Sequence, residues 1–422
     1  MDKSKYIPRL IDGTIKDYLS SFGAVCIEGP KWCGKTWTSI MHSSSVYLLT
    51  DPKDNFANRE LAKLDVTKAL EGTAPHLIDE WQVIPAIWDA VRFAVDEAGE
   101  TGRFILTGSA TPVQKGIHHS GTGRIATLQM HPMSLFESGD SEGVVSLQSV
   151  CEGEDIGVKT VKSPSLEELT GFVIRGGWPA SLGKSSRSAA LLPREYVHNF
   201  IEIDIGRMED VEHDRIKVRK CLCSLARNES TTASANTIRK DIAETDDTSI
   251  SPHTISAYLN AFKRVFLTND IEPFSTFLRS PMKIKQTPKR HFCDPSIAAA
   301  LMGATDRMLM RDLRTFGFLF ESLALRDLQI YAEALDAKLL HYQDYDGLEM
   351  DAVIQFEDGR WNGFEVKLNP DQVDEAAENL LKIASCFQRN PPVSLAVVVG
   401  KSGLAYRRPD GVYVLPLTSL KP

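Results

Sequence analysis

The sequence predicts an α/β protein in three parts: a parallel-sheet domain built around a phosphate loop (residues 1–210), a helical connector (211–278) and a second α/β domain (279–422). Three observations predict it. Residues 29–36 read Gly-Pro-Lys-Trp-Cys-Gly-Lys-Thr, the spacing of a phosphate-binding loop, and they follow a short apolar run, GAVCIE, that suits a buried strand. Further short apolar runs alternate with helix-period segments up to residue 130. Towards the carboxyl end, an acid inside a helical run is followed by an acid on one strand pattern and by Glu-x-Lys on the next.

Length and composition bound the rest. A chain of 422 residues exceeds one ordinary domain, and 42% hydrophobic with 25% charged residues is the balance of a globular protein with sizeable cores. The net charge of −8 excludes a chain that binds nucleic acid nonspecifically as a whole; any such contact needs a local basic patch. Seven scattered cysteines, an odd number, fit reduced thiols and a cytoplasmic location. Cys221 and Cys223 are one residue too close for the usual metal pair and no second pair follows. No apolar run has the length of a membrane span, so no membrane partner is expected.

Residues 1–22 form a leading segment with a short amphipathic helix through Ile15, Tyr18 and Leu19. In the loop that follows the first strand, the backbone of Gly29, Pro30, Lys31, Trp32, Cys33 and Gly34 is expected to wrap phosphate, with Trp37 next to it at the start of a helix. Lys35 is expected to reach the β- and γ-phosphates, and Thr36 to hold Mg²⁺ through its hydroxyl. A strand over residues 45–51 comes next. Residues 76–82 (HLIDEWQ) then make an apolar strand that ends in two carboxylates, Asp79 for hydrated Mg²⁺ and Glu80 for the attacking water.

The helix over 84–99 carries Ile87, Trp88, Val91, Phe93 and Val95 on its apolar side. Residues 103–109 (RFILTGS) form another buried strand, with Thr107 or Ser109 placed to sense the γ-phosphate. A glycine-rich loop containing His118 and His119, which lack a partner at metal-ligand spacing, leads to Arg124 and a strand over 125–130. Arg124 is assigned to the γ-phosphate of its own or a neighbouring subunit.

The order GPKWCGKT, LIDEWQ, ILTGS, GRIATLQMHPMSLFE and then Gly176-Gly177-Trp178-Pro179 resembles a prokaryotic AAA-type P-loop ATPase family whose members fuse this core to a C-terminal domain of unknown function. The resemblance runs along almost the whole chain. It implies ATP rather than GTP, and a parallel sheet with an additional strand between the phosphate-loop strand and the Walker B strand. The family's loop usually reads Gly-Pro-Arg-Gln-x-Gly-Lys-Thr; here Lys31 and Trp32 stand in place of Arg and Gln.

Residues 137–170, rich in Gly, Ser and Glu and without a clear period, read as a loop or linker. A helix over 191–210 leaves the ATPase core. Segments 235–244 and 251–265 then resemble a helix-turn-helix, and 266–274 supplies the strand of a winged-helix-like connector. His253, Ser256 and Asn260 give its second helix little charge, which favours a connector over a DNA reader. Arg279, Lys283, Lys285, Lys289 and Arg290 form a local basic strip suited to a phosphate backbone, or else a solvated strand pair.

In the last part, Glu321 sits within an apolar helical run (GFLFESLALRDL). Strand patterns over 339–344, 348–356 and 363–368 follow it, the second with Asp351 and the third with Glu365 and Lys367 on one face. This pattern resembles the PD-(D/E)xK nuclease fold, which implies Asp351 and Glu365 on one or two Mg²⁺ ions, Lys367 at the attacking water and Glu321 completing the site. The expected function is Mg²⁺-dependent ATP hydrolysis coupled to a nuclease-like domain that processes or binds DNA or another nucleic acid. The alternative is a nucleotide-switched binding or signalling module without cleavage, acting through a protein partner or self-association.

Overall fold

The computed structural model describes residues 3–110, 121–207, 214–245, 250–275 and 287–422. The chain forms two compact units, Met1–Pro132 with Phe262–Leu267, and Met133–Ala261 with Thr268–Pro422. This division differs from the expected 1–210, 211–278 and 279–422. Among the described residues no helix is long and apolar enough to cross a membrane.

The first unit is built on five parallel strands: β1 (Ala24–Glu28), β2 (Ser45–Leu48), β3 (His76–Asp79), β4 (Phe104–Gly108) and β5 (Ile125–Gln129). Their spatial order is β2-β3-β4-β1-β5, so β4 lies between the phosphate-loop strand and the strand of Asp79, the arrangement the resemblance implied. A parallel sheet is covered on both faces, which is why its strands read as unbroken apolar runs. Alternate residues of β1 serve the two faces. Ala24 and Cys26 pack with Ile78, Leu106 and the Ala86–Ala98 helix, whereas Val25 and Ile27 pack with Leu77, Ile105 and the Ile11–Ser21 helix.

On the Ala86–Ala98 helix, Ile87, Trp88, Val91 and Val95 are buried, but Phe93 is 55% exposed. At 100° per residue, a position two beyond Val91 points away from the stripe that the others share. Phe93 therefore does not belong to the apolar side.

Several corrections come from the second unit. Residues 137–170 are not simply linker: Val145–Ser146 (β6) and Lys159–Thr160 (β7) are strands, and Leu147–Cys151 is a helix with Leu147, Val150 and Cys151 buried. Two-residue strands carry no readable period, and their partners lie far along the chain.

The remaining strands are β8 (Ala337–Gln343), β9 (Glu349–Phe356), β10 (Trp361–Lys367), β11 (Ser394–Val399), β12 (Leu404–Arg407), β13 (Tyr413–Pro416) and β14 (Leu420–Lys421). β6 pairs with β14, and β7 joins β12 at the edge of a mixed seven-stranded sheet ordered β7-β12-β13-β11-β10-β9-β8. These pairings tie residues 145–160 to the chain's last strands and place them in this unit. The Gly176-Gly177-Trp178-Pro179 stretch is anchored there too, by Gly177 N–H on Asp294 (2.8 Å) and Trp178 Nε1–H on Ser296 (2.9 Å).

Helices Arg215–Arg227 and Ala235–Thr245 begin the expected connector, and residues 268–271 then pair antiparallel with 289–292 through Thr268↔Phe292 and Ile271↔Lys289. The Leu313–Glu333 helix, the antiparallel meander β8-β9-β10, the Val373–Ser385 helix and β11, parallel to β10, follow in that order.

Candidate functional site

In the parallel sheet, β1, β3 and β4 end at the same edge, so the segments that follow Glu28, Ile78 and Gly108 meet there. The loop after β1 needs its glycines. Gly29 has φ +152°, and a Cβ on it would stand 2.1 Å from the carbonyl oxygen of Met130. Gly34 is also left-handed, at φ +108°. Lys31 and Trp32 are exposed, Trp37 is half-buried, and Cys33 is buried with its thiol on Met130 O at 3.6 Å.

Lys35 is buried and its ammonium donates to the carbonyls of Gly29 (2.9 Å) and Pro30 (2.8 Å). The Thr36 hydroxyl donates to Asp79 Oδ1 at 2.9 Å, and Thr107 donates to the same oxygen at 2.6 Å. Burial pushes the Asp79 carboxyl upward, against these two hydrogen bonds. Glu80, left-handed at φ +59°, receives the Ser109 hydroxyl at 2.9 Å and the Gln82 amide on a single oxygen, Oε2. Its own N–H donates to Thr107 Oγ1 at 2.9 Å. The structure thus brings Lys35, Thr36, Asp79, Glu80, Thr107 and Ser109 to one edge.

Two expectations change. The Thr107 hydroxyl is fully buried between Asp79 and the Glu80 amide, so it positions the acids and is not turned outward as a phosphate sensor. Arg124 precedes β5 at the opposite, amino-terminal edge, about 17 Å of strand away from the loop, and its guanidinium pairs with Asp96 at 2.7 Å. It does not reach the phosphate site of its own chain. Order along the sequence placed it near that site, but strand direction decides which edge it occupies.

Three supporting residues were missed. Buried Arg9 donates to Cys33 O and His131 O, both at 2.8 Å, and so pins the back of the loop. Gln82 orients Glu80; it stands in the quoted LIDEWQ, but nothing in the pattern marks its role. Glu28, last residue of β1, is pushed by burial up to about 7, with Lys35 pulling the other way.

An oxygen-only donor pair, Thr36 and Asp79 in hydrogen-bond contact, suits Mg²⁺, which takes one or two protein ligands and completes its shell with phosphate and water. The residues fit Mg²⁺ at this edge.

A second constellation forms within the other unit. Asp351 on β9 accepts the Val366 N–H at 2.9 Å, which sets it beside Glu365 on β10. The Lys367 ammonium donates to Glu365 Oε1 at 2.8 Å, while Glu365 Oε2 is buried without a hydrogen-bond partner. Glu321, from the Leu313–Glu333 helix, completes the group of expected residues. At its centre is a residue not assigned to it: Lys289, buried, bridges Asp351 Oδ1 (2.9 Å) and Glu321 Oε1.

Burial and the neighbouring Asp351 charge push Glu321 and Glu365 up; Asp351, despite its own burial, is held down by Lys289 and Lys367. A metal held by Glu321, Asp351 and Glu365 does not fit this arrangement, because the Lys289 ammonium lies between two of the three. Of the basic strip, Arg290 is likewise committed, to Asp270 and Ala233 O. Arg279, Lys283 and Lys285, like His118 and His119, lie outside the described residues.

Comparison with known proteins bears on the first site. Residues 21–138 match the family described as AAA domain. Over those residues the chain is similar to an AAA-type domain. Residues 166–308 and 316–420 match two families described as domains of unknown function (DUF8612 and DUF4143). Two uncharacterized proteins, of Mycobacterium bovis and Mycobacterium tuberculosis, are each 24% identical over 348 residues, 81% of this chain and 70% of theirs. Among solved structures, a Walker-type ATPase of Pyrococcus abyssi has a TM-score of 0.45 at 12% identity, over 71% of this chain and 97% of its own. The Aeropyrum pernix ORC1 protein in complex with DNA has 0.22 at 11%, over 73% and 96%. Likeness of that order says nothing about ligand or partner.

Proposed function

We propose that the chain binds Mg²⁺·ATP at the loop of residues 29–36 and hydrolyses it. The observation that carries this is the contact of Thr36 with Asp79 at 2.9 Å, beside a Glu80 carboxylate oriented by Ser109 and Gln82. Backbone N–H groups of residues 29–34 and the Lys35 ammonium would take the phosphates, with Trp37 beside them. Thr36 and Asp79 would hold Mg²⁺, which when bound neutralises phosphate charge. Glu80 would hold and deprotonate the attacking water, with Thr107 and Ser109 fixing the two acids.

For the second unit, the order helix, three-stranded meander, helix, parallel strand supports a nuclease-like fold, with DNA or another nucleic acid as the partner class. A specific observation favours the nucleotide-switched binding module over cleavage. The Lys289 ammonium pairs with Asp351 and Glu321, two of the three carboxylates that a metal-dependent nuclease would keep for its ion. ATP turnover would then gate binding of nucleic acid, or of a protein or second copy, in the cytoplasm.

The test measures Mg²⁺-dependent ATP hydrolysis by wild type, Lys35→Ala and Glu365→Ala/Lys367→Ala, together with cleavage of labelled single- and double-stranded DNA. Turnover lost only in Lys35→Ala, with DNA intact throughout, is the expected result. Cleavage abolished by the double substitution would restore the nuclease reading, and turnover that survives Lys35→Ala would remove the ATPase assignment.

A further inference from the structure

We infer that Lys289 serves the second site as its resident cation, standing where the nuclease-like arrangement would carry a divalent ion. The inference rests on the nuclease-like reading of this unit. Three carboxylates, Glu321, Asp351 and Glu365, gather with two ammonium groups, Lys289 and Lys367, in a buried place. Carboxylates brought together without water need positive charge among them, and an unpaired ion there is strongly unfavourable. An ammonium is a compact point charge with several donors, so one lysine can serve two carboxylates at once. Lys289 does so by bridging Asp351 and Glu321.

Its backbone is fixed. Lys289 N–H donates to Ile271 O at 2.9 Å and Ile271 N–H returns to Lys289 O at 2.9 Å. Next to it, Arg290 N–H donates to Thr231 O at 2.8 Å, with the guanidinium on Asp270 and Ala233 O. These hydrogen bonds hold the backbone at Lys289 while its side chain serves Asp351 and Glu321, and the nearby Asp270 is taken by Arg290. On the other side, Lys367 is held by Glu365 Oε1, which leaves the buried Glu365 Oε2 as the one acceptor of that carboxylate without a partner. Removing Lys289 should thus convert a cluster in which two ammonium groups face three carboxylates into a cation site. Two carboxylates, Glu321 and Asp351, would face the vacated position, with the unpartnered Glu365 Oε2 next to Asp351, and a divalent ion would fill it.

The test uses the full chain without nucleotide in an Asp79→Asn background, which silences the phosphate-loop metal position. Mn²⁺ uptake is followed by the paramagnetic resonance signal of the free ion, and thermal unfolding is recorded with and without Mn²⁺. Asp79→Asn should show no saturable uptake. Adding Lys289→Met should create saturable uptake and make Tm rise with Mn²⁺, and adding Glu365→Gln should abolish both.

Saturable uptake by Asp79→Asn that Glu365→Gln removes would overturn the inference, since the ion would then displace the lysine. A folded Lys289→Met variant that takes up no Mn²⁺ would also overturn it. If Lys289→Met does not fold, Lys289→Met/Glu321→Gln, which removes one charge of each sign, is read by the same two results. Displacement of Lys289 by Mn²⁺ without DNA cleavage would end this inference and leave the ATP-switch reading standing. Loss of the ATPase assignment would leave the Mn²⁺ result untouched, because neither nucleotide nor Asp79 takes part in it.

Discussion

Glu80→Gln isolates the proposed general base. In the structure Glu80 Oε2 takes the Ser109 hydroxyl at 2.9 Å and the Gln82 amide, and both donors can be kept by the single oxygen of the replacement amide. The change therefore removes basicity with little change in shape. A positioned base contributes roughly 10²- to 10⁴-fold, or about 3–5 kcal/mol of barrier, so kcat should fall by that factor. The affinity for ATP should stay within about threefold, because no phosphate contact is lost.

Ser109→Ala supplies the internal scale. A hydrogen bond to a charged group contributes about 1.5–3 kcal/mol, but Gln82 still holds the same oxygen, so a fall near the lower end, about tenfold, is expected. Single-turnover hydrolysis with excess enzyme separates the chemical step from product release. Turnover by Glu80→Gln within about threefold of wild type would refute Glu80 as the base, whatever the value for Ser109→Ala.

Three further outcomes follow from particular contacts. Gly29→Ala places a Cβ 2.1 Å from Met130 O at a backbone angle of +152°; strain of about 1–3 kcal/mol beyond the clash should lower Tm and weaken ATP binding, both visible in a thermal-shift titration. Arg124→Ala should leave ATP turnover within about threefold of wild type, because its side chain is 48% exposed, pairs with Asp96 and sits at the wrong edge of the sheet; a large fall would require the arginine to act on a neighbouring chain. Glu229 is fully buried, and burial raises it from its ordinary value of 4.5 to about 8, against hydrogen bonds from Ser322 and the Phe292 amide. For a carboxyl raised in the folded state, the stabilisation is complete below 4.5 and is lost as pH climbs through 8, by at most about 5 kcal/mol. Urea unfolding at pH 6 and pH 9 should show the part of this loss that lies above pH 6, about 3 kcal/mol, in wild type and a smaller one in Glu229→Gln; equal losses would remove Glu229 as the cause.

The first unit was legible because its signals are contiguous. Val25, Ile27, Leu77 and Ile105 sit in strands buried on both faces, so each strand appears as an apolar run, and the loop glycines and Lys35-Thr36 follow directly on the first of them. Residues whose role depends on direction were less legible. Arg124 and Ser109 flank neighbouring stretches of sequence, yet one precedes its strand and the other follows its own, which in a parallel sheet means opposite edges. Val145 and Lys159 were invisible for another reason. Each belongs to a two-residue strand whose partner, Leu420 or Ala405, is supplied by the far end of the chain.

Lys289 shows why a basic run cannot be read from its charge alone. Five cations within residues 279–290, in a chain of net charge −8, invite a phosphate backbone as partner. Pairing between remote segments decides otherwise for two of them. Lys289 is committed to Asp351, 62 residues away, and to Glu321, while Arg290 is committed to Asp270. The same pairing alters the acidic site, since Glu-x-Lys on a strand implies a metal only while the carboxylates lack another counter-charge. Here that counter-charge comes from a segment that precedes the whole motif, so the residues that define the pattern are all present and the chemistry they would perform depends on one that is not part of it. If Lys289→Met gains Mn²⁺, the acidic cluster was kept closed by that lysine alone; cleavage of DNA by the same variant would show that no other part of the site had been lost.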